Sequence, residues 1–382
     1  MRKDKFLVVT SYEYPSSKAT ANRVHFLIDC LVQEGIYELS VISSGIDSTC
    51  SKLYIQNFIQ KNNIKVFYVE KLSSRNILVR AILEIIHILK IFAKVLSIRP
   101  NFVIFTIPSP MLLFLSLVVK KNSFAIDIRD ASWEYLRRKN LFFLPFCIFF
   151  ENLLRISCLR AKFVTVTNSF EKESVERVSG VRSTILSNGI LKKLYQQLSS
   201  KCFVKKQNDE ISIVYYGNIG IAQHLDSLIK ATGNRENFIV TLIGNGSELK
   251  NLQKLIIDNR FKNVTIKEPV QQEKLSKEVH NADILYAQIG NAYSTAVPTK
   301  IFEYLTYGKH IVLGLPDGPA KTIFSSFNGV HIHSPQCTID TFNVLKSVNL
   351  SKPVDRELNL HQLKDSFIRE DQKQKFLNLI RF

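Results

Sequence analysis

Ser294-Thr295-Ala296-Val297-Pro298-Thr299-Lys300-Ile301-Phe302-Glu303-Tyr304-Leu305-Thr306-Tyr307-Gly308-Lys309-His310, followed by Ile311-Val312-Leu313-Gly314, decides how the chain is read. Pro298 suits a first helical turn, where a missing N–H costs nothing. Gly308 suits the left-handed stop after the last turn. The apolar run Ile311 to Gly314 reads as a buried strand. The expected order is therefore loop, short helix, strand. Free N–H groups and the dipole at a helix start favour an anion, and Lys300 adds a charge there. Glu303 offers two acceptor oxygens one turn on, which suit a pair of sugar hydroxyls. A phosphate-linked sugar matches this arrangement. An ordinary αβ connection with a solvated Lys and Glu has the same pattern.

Upstream, strands and helices alternate. Ile211 to Tyr216 is a strand running into Gly217-Asn218-Ile219-Gly220, with a helix over 224–232. Two glycines at that turn let backbone approach a ligand closely. Phe238 to Ile243 is a strand closed by Gly244-Asn245-Gly246, with a helix over 247–257. A strand over 264–266, a helix over 273–281 and a strand over 282–287 complete the series. Such a series builds a parallel sheet with ligands at the carboxyl ends of its strands.

A first series precedes it. Phe6 to Thr10 and Leu39 to Ile42 read as buried strands around a helix, 22–34, that Gly35 stops. The loop 11–21, with Pro15, Ser16, Ser17 and Lys18, is a candidate site. It lacks Gly-x-Gly-x-x-Gly, which argues against a dinucleotide. In the long helix 76–98, Arg80, Glu84, His87, Lys90 and Lys94 share one face, so His87 is expected at the surface. Phe102 to Val119 carries no charge. Pro108 and Pro110 divide it into a strand, 102–107, and a buried helix, 111–119, in preference to a membrane span. Ala125 to Asp130 is a strand ending in charge. Asp130, Ser132, Trp133 and Glu134 thus stand where functional side chains gather, although Asp130 serves equally well as a helix N-cap. Arg137, Arg138 and Lys139 precede the Phe-rich run 141–150, which is too short to span a bilayer. It suits the bilayer interface, or else a buried helix. Thr184 to Ile190 is a strand ending in an Asn188-Gly189 turn. Residues 193–209 are Lys-, Gln- and Ser-rich and read as a linker. His331 and His333 alternate on a strand, which reads as surface strand in preference to a zinc site.

A chain of 382 residues exceeds the usual single domain, so two are expected. Hydrophobic content of 46% and charged content of 22% are ordinary for a globular protein. A net charge of +18 attracts polyanions. With no zinc finger, aromatic RNP signature or basic tail, phosphate or an anionic membrane is preferred to nucleic acid. None of the six cysteines form a Cys-x-x-Cys pair, which fits reduced thiols in a cytosolic compartment. Met1-Arg2-Lys3-Asp4-Lys5 runs straight into a strand, so no signal peptide is expected.

Taken together, the blocks Asp127-Ile128-Arg129-Asp130, Leu186 to Ile190, Tyr216 to Gln223, Ile243 to Gly246 and Val297 to Tyr304 resemble family 4 glycosyltransferases, in order and over nearly the whole chain. The likeness is to the bacterial surface-polysaccharide branch typified by transferases for N-acetylated deoxyhexosamines of the fucosamine type. It implies an α/β GT-B fold, two Rossmann-like domains facing across a cleft. Residues 1–194 would take the acceptor, 195–209 would link, and 210–365 would take a nucleotide sugar, with the last helix, 366–382, crossing back. It implies a UDP-sugar donor of the N-acetylhexosamine type, retention at the anomeric carbon and no obligatory metal or cofactor. The expected acceptor is lipid-linked, in O-antigen or capsule synthesis on the cytosolic face of the bacterial plasma membrane. Donor contacts would come from Gly217, Asn218, Gly220, Gln223, Gly244, Asn245, Val270, Val297, Pro298, Thr299, Lys300 and Glu303. Glu303 matches the second Glu of the family's paired motif and would hold the ribose; Thr295 stands where the first belongs. Asn218 and Gln223 stand where the family carries Arg and Lys, and Lys300 is expected to replace that charge. Asp130 would orient the acceptor or act as base, beside Ser16, Ser17, Lys18, Arg129 and Trp133. The alternatives are a soluble acceptor, a GT-B epimerase of UDP-sugars, and a catalytically silent nucleotide-binding scaffold.

Overall fold

The structure is a computed structural model that describes residues 4–16, 21–35, 37–46, 52–72, 76–107, 109–129, 144–200, 210–270 and 272–381. The chain divides into two compact units, residues 1–187 with 370–382, and residues 188–369.

The first unit is a parallel sheet of seven strands: β1 (Asp4–Val9), β2 (Tyr37–Ser43), β3 (Ile64–Tyr68), β4 (Phe102–Ile107), β5 (Phe124–Ile128), β6 (Phe163–Val166) and β7 (Thr184–Ile185). Their order is β3-β2-β1-β4-β5-β6-β7. The strands are apolar on both sides because both faces are covered. On β1, Leu7 and Val9 join a core with helices Ile77–Ile98, Leu113–Val118 and Leu144–Arg160. Phe6 and Val8 point the other way, to helix Asn22–Glu34 and the last helix, Lys373–Arg381. That last helix is held by Lys162 Nζ on Ile380 O at 2.9 Å and by Lys375 Nζ on Ile185 O at 2.7 Å.

Several expectations shift. His87 is 2% exposed: the side of Ile77–Ile98 that packs on the sheet includes it with Ile88 and Ile91, whereas Ile82, Ile85 and Ile86 lie on the outer side. The helix expected over 111–119 is a 3-10 turn, Pro110–Leu112, and then Leu113–Val118, whose Leu117 and Val118 are exposed. Among the described residues no helix is long and apolar enough to cross a membrane. The helix Lys192–Ser199 overlaps the start of the expected linker, because Leu194, Tyr195 and Leu198 fall on one face and pack into the second unit; residues 201–209 lie outside the described ones. The Asn188-Gly189 step is not a strand end, since β7 stops at Ile185. Gly189 is required by close approach: a Cβ there would lie 1.8 Å from Phe367 O, beside the parallel bridge of Ile190 with Ile368.

The second unit repeats the plan with six parallel strands: β8 (Ile211–Asn218), β9 (Phe238–Asn245), β10 (Val264–Lys267), β11 (Ile284–Gln288), β12 (His310–Gly314) and β13 (Val330–His333). Their order is β10-β9-β8-β11-β12-β13. In each sheet the order reverses beside the first strand, and such a switch point opens a crevice at the carboxyl ends of the strands.

Candidate functional site

In the second unit, β8 pairs with β11 only at Ile213 and Val214. Beyond that the two strands separate, while β8 stays paired with β9 as far as Gly217 with Gly244 and Asn218 with Asn245. The abandoned side of Tyr216 must still be satisfied. Tyr304 does this from the helix of the opening stretch: its hydroxyl accepts from Tyr216 N at 3.1 Å and donates to Tyr216 O at 3.0 Å. Burial raises the pKa of both tyrosines well above 10, with Glu303 adding to the rise at Tyr216, so both stay neutral hydrogen-bonding groups.

The same helix brings in the charges. Lys300 Nζ lies 4.8 Å from the Tyr216 ring centre and 3.0 Å from Glu303 Oε2. Glu303 is mostly buried and Lys300 half-exposed. An ammonium carries three donors, so pairing with Glu303 leaves others for a ligand. The helix spans only Lys300–Tyr304 before a 3-10 turn, Leu305–Tyr307, and Gly308 ends it at φ 65° as expected. Pro298 lies ahead of it, its carbonyl accepting from Ile301 N at 3.2 Å. Five residues make a small dipole, so attraction for an anion falls on Lys300. Val297 and Val270 are partly buried against the core that holds Tyr304. Pro298 and Thr299 are half-exposed.

The glycines shape the floor. A Cβ on Gly244 would meet Gly217 O at 1.9 Å, so the two strand ends touch through backbone. Gly217, at φ 151°, holds a conformation that side chains rarely adopt. Asn218 and Gln223 bond to each other at 3.3 Å, and Gln223 Oε1 also accepts from Gly220 N at 3.1 Å. They build the turn. Gln288, at the end of β11, was missed by sequence reasoning. It is 2% exposed, and its amide donates to Gln223 O at 3.1 Å and His224 O at 2.8 Å while its Oε1 accepts from Tyr286 Oη at 3.0 Å. The signal was there: one polar residue closes the apolar run Ile284 to Ala287 at a strand's carboxyl end. Thr295 is 1% exposed, so it is packed inside the loop.

In the first unit, the loop after β1 and the end of β5 meet where Arg129 lies 5.2 Å from the Tyr12 ring. Ser16 is buried, and its carbonyl accepts from His25 Nε2 at 2.8 Å. Ser17, Lys18, Asp130 and Trp133 lie outside the described residues. Asp127 is structural: its carboxylate is buried against Arg23 at 2.5 Å and accepts from Thr165 at 2.6 Å, while Arg23 also donates to Leu186 O. The pair His331 and His333 is not a plain surface strand. His331 faces His310 at 3.1 Å, and His333 is buried with Nδ1 on Ser334 O at 2.8 Å. No group of three His, Cys, Asp or Glu among the described residues is arranged to hold a metal.

Two parallel-sheet Rossmann-like units of this order make the fold that of the GT-B glycosyltransferases. Residues 199–343, which lie in the second unit, match the family model of glycosyl transferases group 1. Three solved structures similar to the chain share its fold over nearly their whole length. Sucrose-phosphate synthase from Thermosynechococcus elongatus has a TM-score of 0.72 at 12% identity, covering 99% of this chain and 98% of that one. HepE from Anabaena, in complex with UDP and glucose, has 0.65 at 12% identity, covering 99% of each. The Escherichia coli trehalose-6-phosphate protein bound with UDP-2-fluoro glucose has 0.68 at 10% identity, covering 99% of each. No curated protein sequence matches the chain.

Proposed function

We propose that the chain is a retaining glycosyltransferase that moves a sugar from a UDP-sugar, of the N-acetylhexosamine type, to a lipid-linked intermediate of bacterial surface polysaccharide at the cytosolic face of the membrane. The observation that carries this reading is the Lys300–Glu303 pair, beside the touching strand ends Gly217 and Gly244 at a switch point. Lys300 faces the diphosphate, Glu303 accepts from the ribose hydroxyls, and the Gly217–Gly220 backbone lets the donor approach closely. Two structures of the same fold hold UDP or a UDP-sugar analogue, which supports a uridine donor. The bond from the anomeric carbon to the diphosphate oxygen breaks as the acceptor oxygen bonds to that carbon on the same face. The acceptor proton passes to the departing diphosphate oxygen, so no protein base is required. Asp130, with Arg129 and the β1 loop, orients the acceptor. The fucosamine-type branch narrows the donor to be tried first.

A thermal-shift panel of UDP-, GDP-, dTDP- and ADP-sugars tests this, since a ligand that binds only the native state raises the melting temperature. One UDP-sugar should raise it selectively, and Glu303→Ala should abolish the rise. A shift that survives Glu303→Ala, or a preference for another nucleotide, would refute the assignment.

A further inference from the structure

Of the helices that cover one face of the first unit's sheet, three have outer sides that are apolar as well. On Ile77–Ile98 the inner side carries His87, Ile88, Ile91 and Val95. The outer side presents Ile82, Ile85, Ile86, Leu89 and Leu96, between 41% and 59% exposed. Leu117 and Val118 continue the apolar surface on the second helix, and Phe146, Phe149 and Leu159 on the third. The second and third helices are locked together: Phe114 and Phe149 lie 5.9 Å apart, and Arg160 donates to Leu117 O and Val119 O. Single exposed aliphatics need no explanation; successive turns of one helix of about 33 Å, joined to two more helices, do. Glu84, Lys90 and Lys94 interrupt the longest helix, and it is not apolar enough to cross a bilayer. It can lie on one.

Charge selects the occupant. Residues 76–162 hold thirteen Lys and Arg against five Asp and Glu, within a chain of net charge +18. Two copies meeting here would bring like charges together, whereas an anionic lipid surface is complementary. We propose that this three-helix face docks on an anionic bilayer, with helix Ile77–Ile98 lying flat in the interface. The inference deepens the reading above, on which it rests for the lipid-linked acceptor, and it widens the membrane contact well beyond the Phe-rich run 141–150.

The test is flotation of the full chain with vesicles of phosphatidylcholine alone and of phosphatidylcholine with phosphatidylglycerol. The protein should float with the anionic vesicles, less so at high salt. The triple variant Ile82→Gln/Ile85→Gln/Leu89→Gln should bind at least about tenfold more weakly. Its melting temperature should hold, because these side chains already face water. No flotation of the wild type, or equal flotation of the variant, would overturn the proposal. Dimerisation abolished by the same substitutions would assign the face to a second copy. A large fall in melting temperature would show that the face is packed within the protein and would overturn the proposal. UDP response in the same variant is read separately, so a failed donor site and a failed membrane face are told apart.

Discussion

Lys300, Glu303 and Tyr304 occupy one short helix, and each carries its own prediction. Lys300→Ala removes a charge-assisted contact of about 1.5–3 kcal/mol, so donor KM should rise roughly ten- to a hundredfold, with lower turnover. Steady-state kinetics with the donor found by thermal shift would check this, and an unchanged KM would remove Lys300 from the site. Tyr304→Phe strips two hydrogen bonds from Tyr216, where β8 has lost β11. It should cost about 1–3 kcal/mol in urea unfolding. An unmoved midpoint would show that water replaces the hydroxyl. Lys300 and Glu303 stand out as candidates in the sequence because a proline, two charges and a glycine punctuate an apolar run. It could not show that they pair, nor that Tyr304 completes a strand, because both depend on where β8 and β11 part. Gln288 escaped for the same reason: its value lies in reaching the 220–224 turn, far away in sequence.

At the scale of elements, strands were the easier part. Their apolar runs are bounded by glycine, proline or charge, and both sheets are buried on two faces. Helix faces were harder. In Ile77–Ile98 apolar side chains lie all round, so periodicity put His87 outside when it is inside. Burial, with Lys71 as a lesser cause, lowers its pKa below 6.5, so the folded state holds the ring neutral. The unfolded chain then binds more protons below about pH 6.5. Stability conferred by this group is complete above that value and is lost as pH falls. His331 and His333 shift in the same direction through burial and act alike. Urea unfolding at pH 7 and pH 5 should show a decline that His87→Phe reduces; an identical decline in the variant would exclude His87 as a contributor. Gly244→Ala belongs at this scale too. A methyl 1.9 Å from Gly217 O forces two strand ends apart, so the thermal response to donor should vanish. A retained response would place the donor elsewhere.

At the scale of the molecule, two βα series announced two Rossmann-like units, and the sheet orders agree. The boundary residues were less legible. A polar stretch such as 192–199 looks like linker until its three apolar side chains find a core to enter. The net charge of +18 acts over the whole protein, so affinity for an anionic donor should fall with ionic strength. The measurement that tests the central claim most directly is calorimetric titration of the UDP-sugar into the wild type, Lys300→Ala and Glu303→Ala. One site per chain is expected, weakened at least about tenfold by either substitution. Equal affinity in all three proteins, or no binding of any UDP-sugar to the wild type, would contradict it.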